Sequence, residues 1–427
     1  MKVLLTGATG LIGGEITGRL IGLGHEVVAV SRRREGRRLL GTQTVYLDFR
    51  GAVLADWLGH LADIDAVVNC VGVLQGTFTD SPDAAHAHGP AVLFEACEAA
   101  GVRRVIHFSA VGVGRGARSS FSASKAAGDA DLPARDLDWV ILQPSVVLGR
   151  PVYGASALFR GLATLPLLPR AQDAGLLQVV QLEDVVETVV RLLAEPKLTP
   201  VTMELVGPER LSFDEVVAHY RHWYGWAPAR LFSMPAMVFR LLYRLGDLVA
   251  WLGWRPPVRS NARREIERGA VGDPAPWQRA TGIAPQRLGE ALEASPPSVQ
   301  DRWFARMFLL KPVIFATLSA FWIATGLISL GPGWGQGIEL MRATGAGAWS
   351  SPAVVAGAIA DIAIGVGVAI RAFARPALFA ALGVSLFYAM AGTIVLPALW
   401  SDPLGALLKV APIVTLNLVA LATLEDR

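Results

Sequence analysis

Lys2-Val3-Leu4-Leu5-Thr6-Gly7-Ala8-Thr9-Gly10-Leu11-Ile12-Gly13 opens the chain and carries the reading of its first half. Residues 2–6 form a short apolar run of the β type, and the glycines at 7, 10 and 13 lead into a helical stretch reaching about Leu23. The order is strand, glycine turn, helix. Gly7-x-x-Gly10-x-x-Gly13 differs in spacing from GxGxxG but does similar work: a tight turn, a backbone that a pyrophosphate can approach closely, and a phosphate set on a helix N-terminus. Gly24-His25 ends the helix, Glu26–Ser31 forms a second strand, and Arg32, Arg33, Arg34, Arg37 and Arg38 follow where an adenosine ribose would sit. An acidic residue there selects NAD through the 2′-hydroxyl, whereas Ser31 and Arg32 suit a 2′-phosphate, so NADP(H) is favoured over NAD(H). Arg37 and Arg38 read as a solvated helix face.

Working outward, apolar runs at 44–47, 66–71, 104–109 and 139–142 alternate with helical segments at 90–100 and 122–132. That rhythm predicts an α/β fold, a Rossmann-type doubly wound parallel sheet with helices on both faces. Residues 150–207 read as a small substrate-side lobe with a helix at 183–194 and a strand near 202–206. Ser212 with Glu215 three positions on starts a helix over 212–225, and the first domain is placed at 1–230. Within 231–306, Pro235–Trp254 is apolar and aromatic with Arg240, Arg244 and Arg255 interspersed. It reads either as a helix in a membrane interface or as an ordinary packing helix. Residues 256–300, rich in Pro, Arg and Gly with only short helical pieces, read as a partly ordered connector.

The chain has 427 residues, 52% hydrophobic and 18% charged, below the roughly 25% charged of soluble domains. The imbalance lies at the C-terminal end, where residues 301–427 hold 8 of the 39 Lys+Arg and 6 of the 36 Asp+Glu. Four nearly uncharged stretches, at about 309–330, 352–370, 376–400 and 404–424, each approach the roughly 20 residues a span requires, which predicts an all-α four-helix transmembrane domain over 307–427. Arg302, Arg306 and Lys311 before the first stretch and Arg371 and Arg375 between the second and third belong on the cytoplasmic side by the positive-inside rule. The expectation is a multi-pass protein of the cell (inner) membrane, its N-terminal domain and C-terminus cytoplasmic, with no cleaved leader. A net charge of +3 supplies no basic field for nucleic acid. Cys70 and Cys97 have neither metal-type spacing nor a disulfide framework, which fits a reducing compartment.

The first domain resembles the atypical branch of the short-chain dehydrogenase/reductase superfamily, near its NmrA-like and complex I accessory-subunit-like members. The resemblance covers about residues 1–230. It rests on residues 6–13, Leu47-Asp48, Asn69-Cys70-Val71-Gly72, residues 101–110, Ser124-Lys125 and Gln143-Pro144-Ser145-Val146-Val147-Leu148-Gly149. It implies a dinucleotide held by Gly7, Thr9, Gly10, Leu11, Ile12 and Gly13, by Ser31 and Arg32, and by Asp48 and Phe49 at the adenine. Val71 and Gly72 would pass beside the adenosine, Pro144, Ser145 and Val146 would border the nicotinamide, and Lys125 would bind the nicotinamide ribose. Ser109 stands where the family's substrate-polarising serine would lie.

The departures bear on chemistry. Family enzymes place a Tyr four residues before the Lys, because a nearby cation lowers the phenol pKa. Here that residue is Phe121, which transfers no proton, and the family's Arg-Pro-Ser is Gln143-Pro144-Ser145. Tyr153 is a candidate substitute. His86 and His88 fall near the cofactor edge, either as proton donors or as surface or helix-start residues. His219-x-x-His222 lacks a third ligand, so no metal is expected.

The tail resembles the DoxX-like family through Leu309-Leu310-Lys311-Pro312 and Trp322-Ile323-Ala324-Thr325-Gly326-Leu327. That family is associated with quinone-linked thiol or sulfur oxidation. Asp361, mid-span, is expected to meet Lys409, as a structural pair or as a protonatable site. Together the two resemblances imply a membrane-anchored oxidoreductase for a small lipophilic substrate, such as a quinone or isoprenoid, working at the lipid bilayer. The competing reading is a non-catalytic NADPH-binding sensor or assembly factor with a membrane protein partner or a homo-oligomeric state.

Overall fold

The computed structural model describes residues 1–32, 40–73, 81–115, 119–170, 173–403 and 405–424. Arg33, Arg34, Arg37, Arg38 and Leu404 lie outside the described residues. The chain divides into two units, Met1–Asp247 with Pro257–Ala305, and Leu248–Pro256 with Arg306–Arg427.

The first unit is built on seven parallel strands: β1 (Lys2–Thr6), β2 (Glu26–Ser31), β3 (Thr42–Tyr46), β4 (Ala66–Asn69), β5 (Arg104–Phe108), β6 (Asp138–Pro144) and β7 (Val201–Leu205). Their spatial order is β7-β6-β5-β4-β1-β2-β3. Because successive side chains of a strand point to opposite faces, each apolar strand feeds two cores. Val3 and Leu5 of β1 join Ile106 and Val140 on one face, while Leu4 joins Val28, Val67 and Ile141 on the other.

α1 (Leu11–Gly22) covers the first face with Ile16 and Leu20, while α2 (Leu54–Leu61) and α3 (Gly89–Ala100) cover the second with Trp57, Leu61, Leu93 and Phe94. All three β1 side chains are fully buried. Burying a side chain of this kind stabilises by about 1.5–3 kcal/mol. α4 (Ser120–Asp131) starts at an N-cap, Ser119, whose side chain accepts the Ser122 N–H.

The region read as a small lobe contains α5 (Gly154–Leu162) and, beyond it, α7 (Phe213–Trp223), and between them in the chain α6 (Leu182–Ala194) returns to the first sheet face. The expected box at Ser212 and Glu215 caps α7. Arg160 of α5 is buried between the Tyr220 and Trp223 rings and donates to Asp301 at 2.8 Å.

One segment adds to what was expected of it, in where it packs. After α8 (Ala236–Trp251), the supposed connector forms α9 (Ser260–Arg268) and helices Ala275–Thr281 and Leu288–Ala294, and packs with the first unit. Its anchor is Trp277, fully buried and donating to Thr188 Oγ1 at 2.8 Å. Isolated apolar anchors between Pro, Arg and Gly leave no periodic trace in the sequence. Between the first and second of the C-terminal apolar stretches lies a further helix, Trp334–Ala343.

Among the described residues, three helices are long and apolar enough to cross a membrane: Val299–Leu330, which begins in the first unit, Gly347–Ala369 and Ala374–Val395. The fourth stretch yields a shorter helix of 14 residues, Val410–Thr423. Small residues bring backbones together, as where Ser319 Oγ donates to the Gly365 carbonyl at 2.9 Å. Asp361 meets the Tyr388 hydroxyl, 3.5 Å away, rather than Lys409, which is the N-cap residue of the last helix.

Candidate active site

The chain leaves β1 toward β2 and β3 on one side and crosses to β4 on the other, so the carboxyl ends of β1 and β4 frame a topological switch point. The glycine turn lies there. Gly7 has φ +70°, and a Cβ on it would come 2.8 Å from the Cys70 carbonyl carbon and oxygen. A Cβ on Gly13 would meet the Gly7 oxygen at 2.3 Å. Gly10 closes the turn by donating to that same oxygen at 2.8 Å, and it is the N-cap residue of α1. Only glycines permit this cradle, and it leaves the first-turn N–H groups of Leu11, Ile12 and Gly13 without carbonyl partners inside the helix. It fits the pyrophosphate of a dinucleotide.

Around the adenosine end, Ser31 and Arg32 stand at the tip of β2. Asp48, half exposed after β3, is gripped by Arg50 through Nη2 to Oδ2 at 2.7 Å and Nε to Oδ1 at 2.9 Å. The Arg50 hydrogen bonds, with help from the Arg32 charge, hold its carboxyl below the usual carboxylate range. Phe49 is buried, edge-on to Trp57 at 6.0 Å.

Past the turn, a row of buried polar side chains runs along the strand ends. Thr6, Asn69 and His107 are cross-strand neighbours on β1, β4 and β5, and all are fully buried. Thr6 Oγ1 donates to Asn69 Oδ1 at 2.6 Å, and the Val71 N–H reaches the same oxygen at 3.2 Å. The Asn69 amide nitrogen therefore donates to His107 Nδ1 at 3.0 Å, which puts the His107 hydrogen on Nε2. Nε2 faces Asp129 Oδ1 at 3.3 Å, a loose contact rather than a well-formed hydrogen bond. Ser109 Oγ donates to Asp129 Oδ2 at 2.5 Å, and Gln143 Nε2 lies 3.3 Å from that oxygen.

Lys125, on the same α4 face as Asp129, is buried and donates to the Phe108 carbonyl at 2.7 Å and the Val71 carbonyl at 3.1 Å. Burial pushes its amine down to about 8, with the Asp129 charge opposing. Burial also works against charge on Asp129, but His107, Ser109 and Lys125 outweigh it and hold the carboxyl below its usual range.

Phe121 stacks edge-on against His86, with ring centroids 5.4 Å apart. His86 is fully buried: its Nε2 accepts the Val73 N–H at 2.8 Å, so Nδ1 carries the hydrogen and donates to Ser124 Oγ at 2.8 Å. Burial and the Lys125 charge lower its pKa to about 3, so it stays neutral and serves as a brace rather than a donor at neutral pH. Tyr153 is the N-cap residue of α5, with its N–H on Ser156 Oγ at 2.9 Å.

Residues 7–196 match the family described as NAD(P)H-binding, and residues 319–418 match the DoxX-like family. The chain joins an NAD(P)H-binding domain to a DoxX-like membrane domain. An uncharacterized protein of Mycobacterium tuberculosis is 25% identical over 51% of this chain; the match spans only 23% of that relative's length. A ceramide reductase of Caulobacter vibrioides is 25% identical over 55% of this chain and 73% of its own. Among solved structures, MoeE5 in complex with UDP-glucuronic acid and NAD gives a TM-score of 0.52 at 21% identity, covering 69% of this chain and 97% of that one. This likeness is one of fold, the Rossmann type.

The NAD(P)H-binding domain thus brings Ser109 and Lys125 to one place and adds groups that sequence reasoning missed. Asp129 sits four residues after Lys125, a helical spacing that puts both on one face, and His107 interrupts an apolar strand; those were the signals available. The segment read as a connector also contributes. Ser145 Oγ donates to the Ala270 carbonyl at 3.0 Å, Ser119 and Ser122 (the latter at 2.8 Å) both donate to Glu265 Oε1, and Arg268 donates to Glu265 Oε2 at 2.6 Å and to the Val111 carbonyl at 2.9 Å.

Proposed function

We propose that this chain is a membrane-anchored, NADP(H)-preferring oxidoreductase acting on a lipophilic acceptor such as a quinone or isoprenoid. The observation that carries the reading is the glycine cradle at the switch point with buried Lys125 and the Ser109–Asp129 bond beyond it. Fusion to a membrane domain and the 25% likeness to a protein named for a lipid substrate support a lipophilic acceptor. Ser31 and Arg32, with no acidic residue at the end of β2, support the 2′-phosphate.

Bound in this crevice, NAD(P)H supplies the hydride. The N-terminus of α1 would hold its pyrophosphate, and Lys125 would bind its nicotinamide ribose. Proton handling falls to Ser109 and Asp129. When a substrate hydroxyl is oxidised, its proton passes to Ser109 Oγ as the Ser109 hydrogen passes to the Asp129 carboxylate; reduction runs the same transfer backward. Phe121 therefore removes the phenol without removing every proton route. Tyr153 is the alternative donor, and Tyr153→Phe separates the two routes.

Dinucleotide affinity of the full chain in nanodiscs tests the cofactor side. Tighter binding of NADPH than NADH by tenfold or more, about 1.4 kcal/mol, is the expected result; equal affinities would remove the preference. A second reading, a non-catalytic NADPH sensor or assembly factor, is favoured by Phe121 alone, and NADPH binding without turnover on any acceptor is its signature.

A further inference from the structure

α8 presents a surface that the dinucleotide site does not use. Phe239, Tyr243, Gly246 and Ala250 fall on its inward side at helical spacing, and Gly246 packs so closely that a Cβ would lie 1.7 Å from the Val258 carbonyl oxygen. The outward side is apolar. Met237 is 75% exposed, Leu241 56%, Leu245 47%, Leu248 57% and Trp251 72%. A surface helix of a soluble protein has the opposite pattern. At 100° per residue, exposed Arg240 and Arg244 border the Met237–Leu241–Leu245–Leu248 part of this face along one edge, with Trp251 falling between them.

We propose that α8 lies along the bilayer surface, its Met237–Leu241–Leu245–Leu248 stripe at the acyl boundary and Arg240 and Arg244 among the phosphates of anionic lipids. The chain carries helices able to cross a membrane, so a bilayer is the apolar phase always within its reach. The arginine edge matches anionic headgroups, and long cationic side chains reach from an apolar surface to polar headgroups.

Seating α8 also reaches the site through contacts within the first unit. Asp247 accepts the Ser260 N–H at 3.2 Å and its hydroxyl at 2.5 Å, fastening α8 to the start of α9. α9 in turn delivers Glu265 and Arg268 to Ser119, Ser122 and Val111 beside Phe121. The bilayer thereby holds the helix that brackets the start of α4.

Spin labels at Leu241→Cys and Leu245→Cys, with Ala62→Cys as a solvent-exposed control, test this on the full chain in nanodiscs with and without phosphatidylglycerol. Labels on the stripe should be about threefold or more better exposed to oxygen than to a water-soluble nickel chelate, as expected for a buried interfacial face, with the order reversed at Ala62. Arg240→Gln with Arg244→Gln should move the labels outward only when phosphatidylglycerol is present. Water-like accessibility on the stripe overturns the proposal, as does spin–spin broadening that shows a second copy covering it. Should the cysteine variants fail to fold, bromolipid quenching compared between the unlabelled chain and Trp251→Phe decides: emission lost with Trp251 is lipid-quenched if α8 is seated and unquenched if it is not.

Discussion

Ser109, a buried residue, gives its hydroxyl hydrogen to Asp129 Oδ2 at 2.5 Å, so its oxygen keeps its lone pairs to accept with. A serine in that state takes a proton more readily than it gives one. Combined with a carboxylate held ionised by His107, Ser109 and Lys125 against the cost of burial, this makes the pair a base at neutral pH.

Asp129→Asn should leave dinucleotide affinity within about twofold while lowering turnover by about 10²–10³-fold, the usual reach of one general base. The pH profile supplies the sign. Oxidation requires ionised Asp129, so its rate should be flat at neutral pH and fall only in acid, below the ordinary carboxylate range, whereas reduction should weaken as pH rises. Steady-state rates in both directions, set beside dinucleotide titrations, check this.

Phe121→Tyr puts a phenol four residues before Lys125, whose buried amine sits at about 8. Carbonyl reduction of a simple aldehyde should rise by about tenfold or more, because a phenol beside a cation is a usable donor near neutral pH. An unchanged rate would mean that the His86 ring, 5.4 Å from Phe121, holds the new phenol away from substrate.

Lys125 also predicts a pH dependence of stability. Its folded pKa, about 8, lies below the ordinary lysine value of 10.5, so between the two the unfolded chain binds more protons than the folded one. Stability contributed at this site therefore rises with pH across that window and is flat below it. Replacing Lys125 with Met removes that dependence and leaves the Val71 and Phe108 carbonyls without their donor, at a cost of about 1–3 kcal/mol. Thermal melts of both proteins between pH 7 and the lysine range, roughly 10, measure the two effects.

Asp301→Ala removes the carboxylate that balances the charge of Arg160, which is 2% exposed and against two aromatic rings, leaving it the Gly149 carbonyl, and should destabilise the first unit by about 3–5 kcal/mol. Asp301→Ala paired with Arg160→Met should recover part of the loss. Melts of the three variants read it directly.

The glycine turn was legible because each glycine answers a local backbone demand, and the sheet because two-sided burial leaves continuous apolar runs such as Val3–Leu5 and Ala66–Val68. Ser109 and Lys125 were found by resemblance, and geometry joins them. Asp129, His107 and Asn69 were not found, because a buried polar row is assembled from single residues on four elements with no spacing of its own. Glu265 and Arg268 were hidden more deeply: Glu265 reaches Ser122 of α4, and Arg268 the Val111 carbonyl before it, from more than 130 residues away, on a segment whose Pro, Arg and Gly content reads as a connector. Tyr388, rather than Lys409, beside Asp361 reflects packing of neighbouring helices that hydropathy alone does not order.

The most direct test of the account is NADPH consumption, followed at the nicotinamide absorbance band, by the full chain in nanodiscs supplied with a membrane-soluble quinone or an isoprenoid aldehyde, beside Gly13→Ala as a control whose cradle is filled by a methyl 2.3 Å from the Gly7 oxygen. The account predicts acceptor-dependent loss of NADPH by the native protein and none by the control. Tight NADPH binding by the native protein with no consumption on any acceptor would contradict it and leave a dinucleotide sensor in its place.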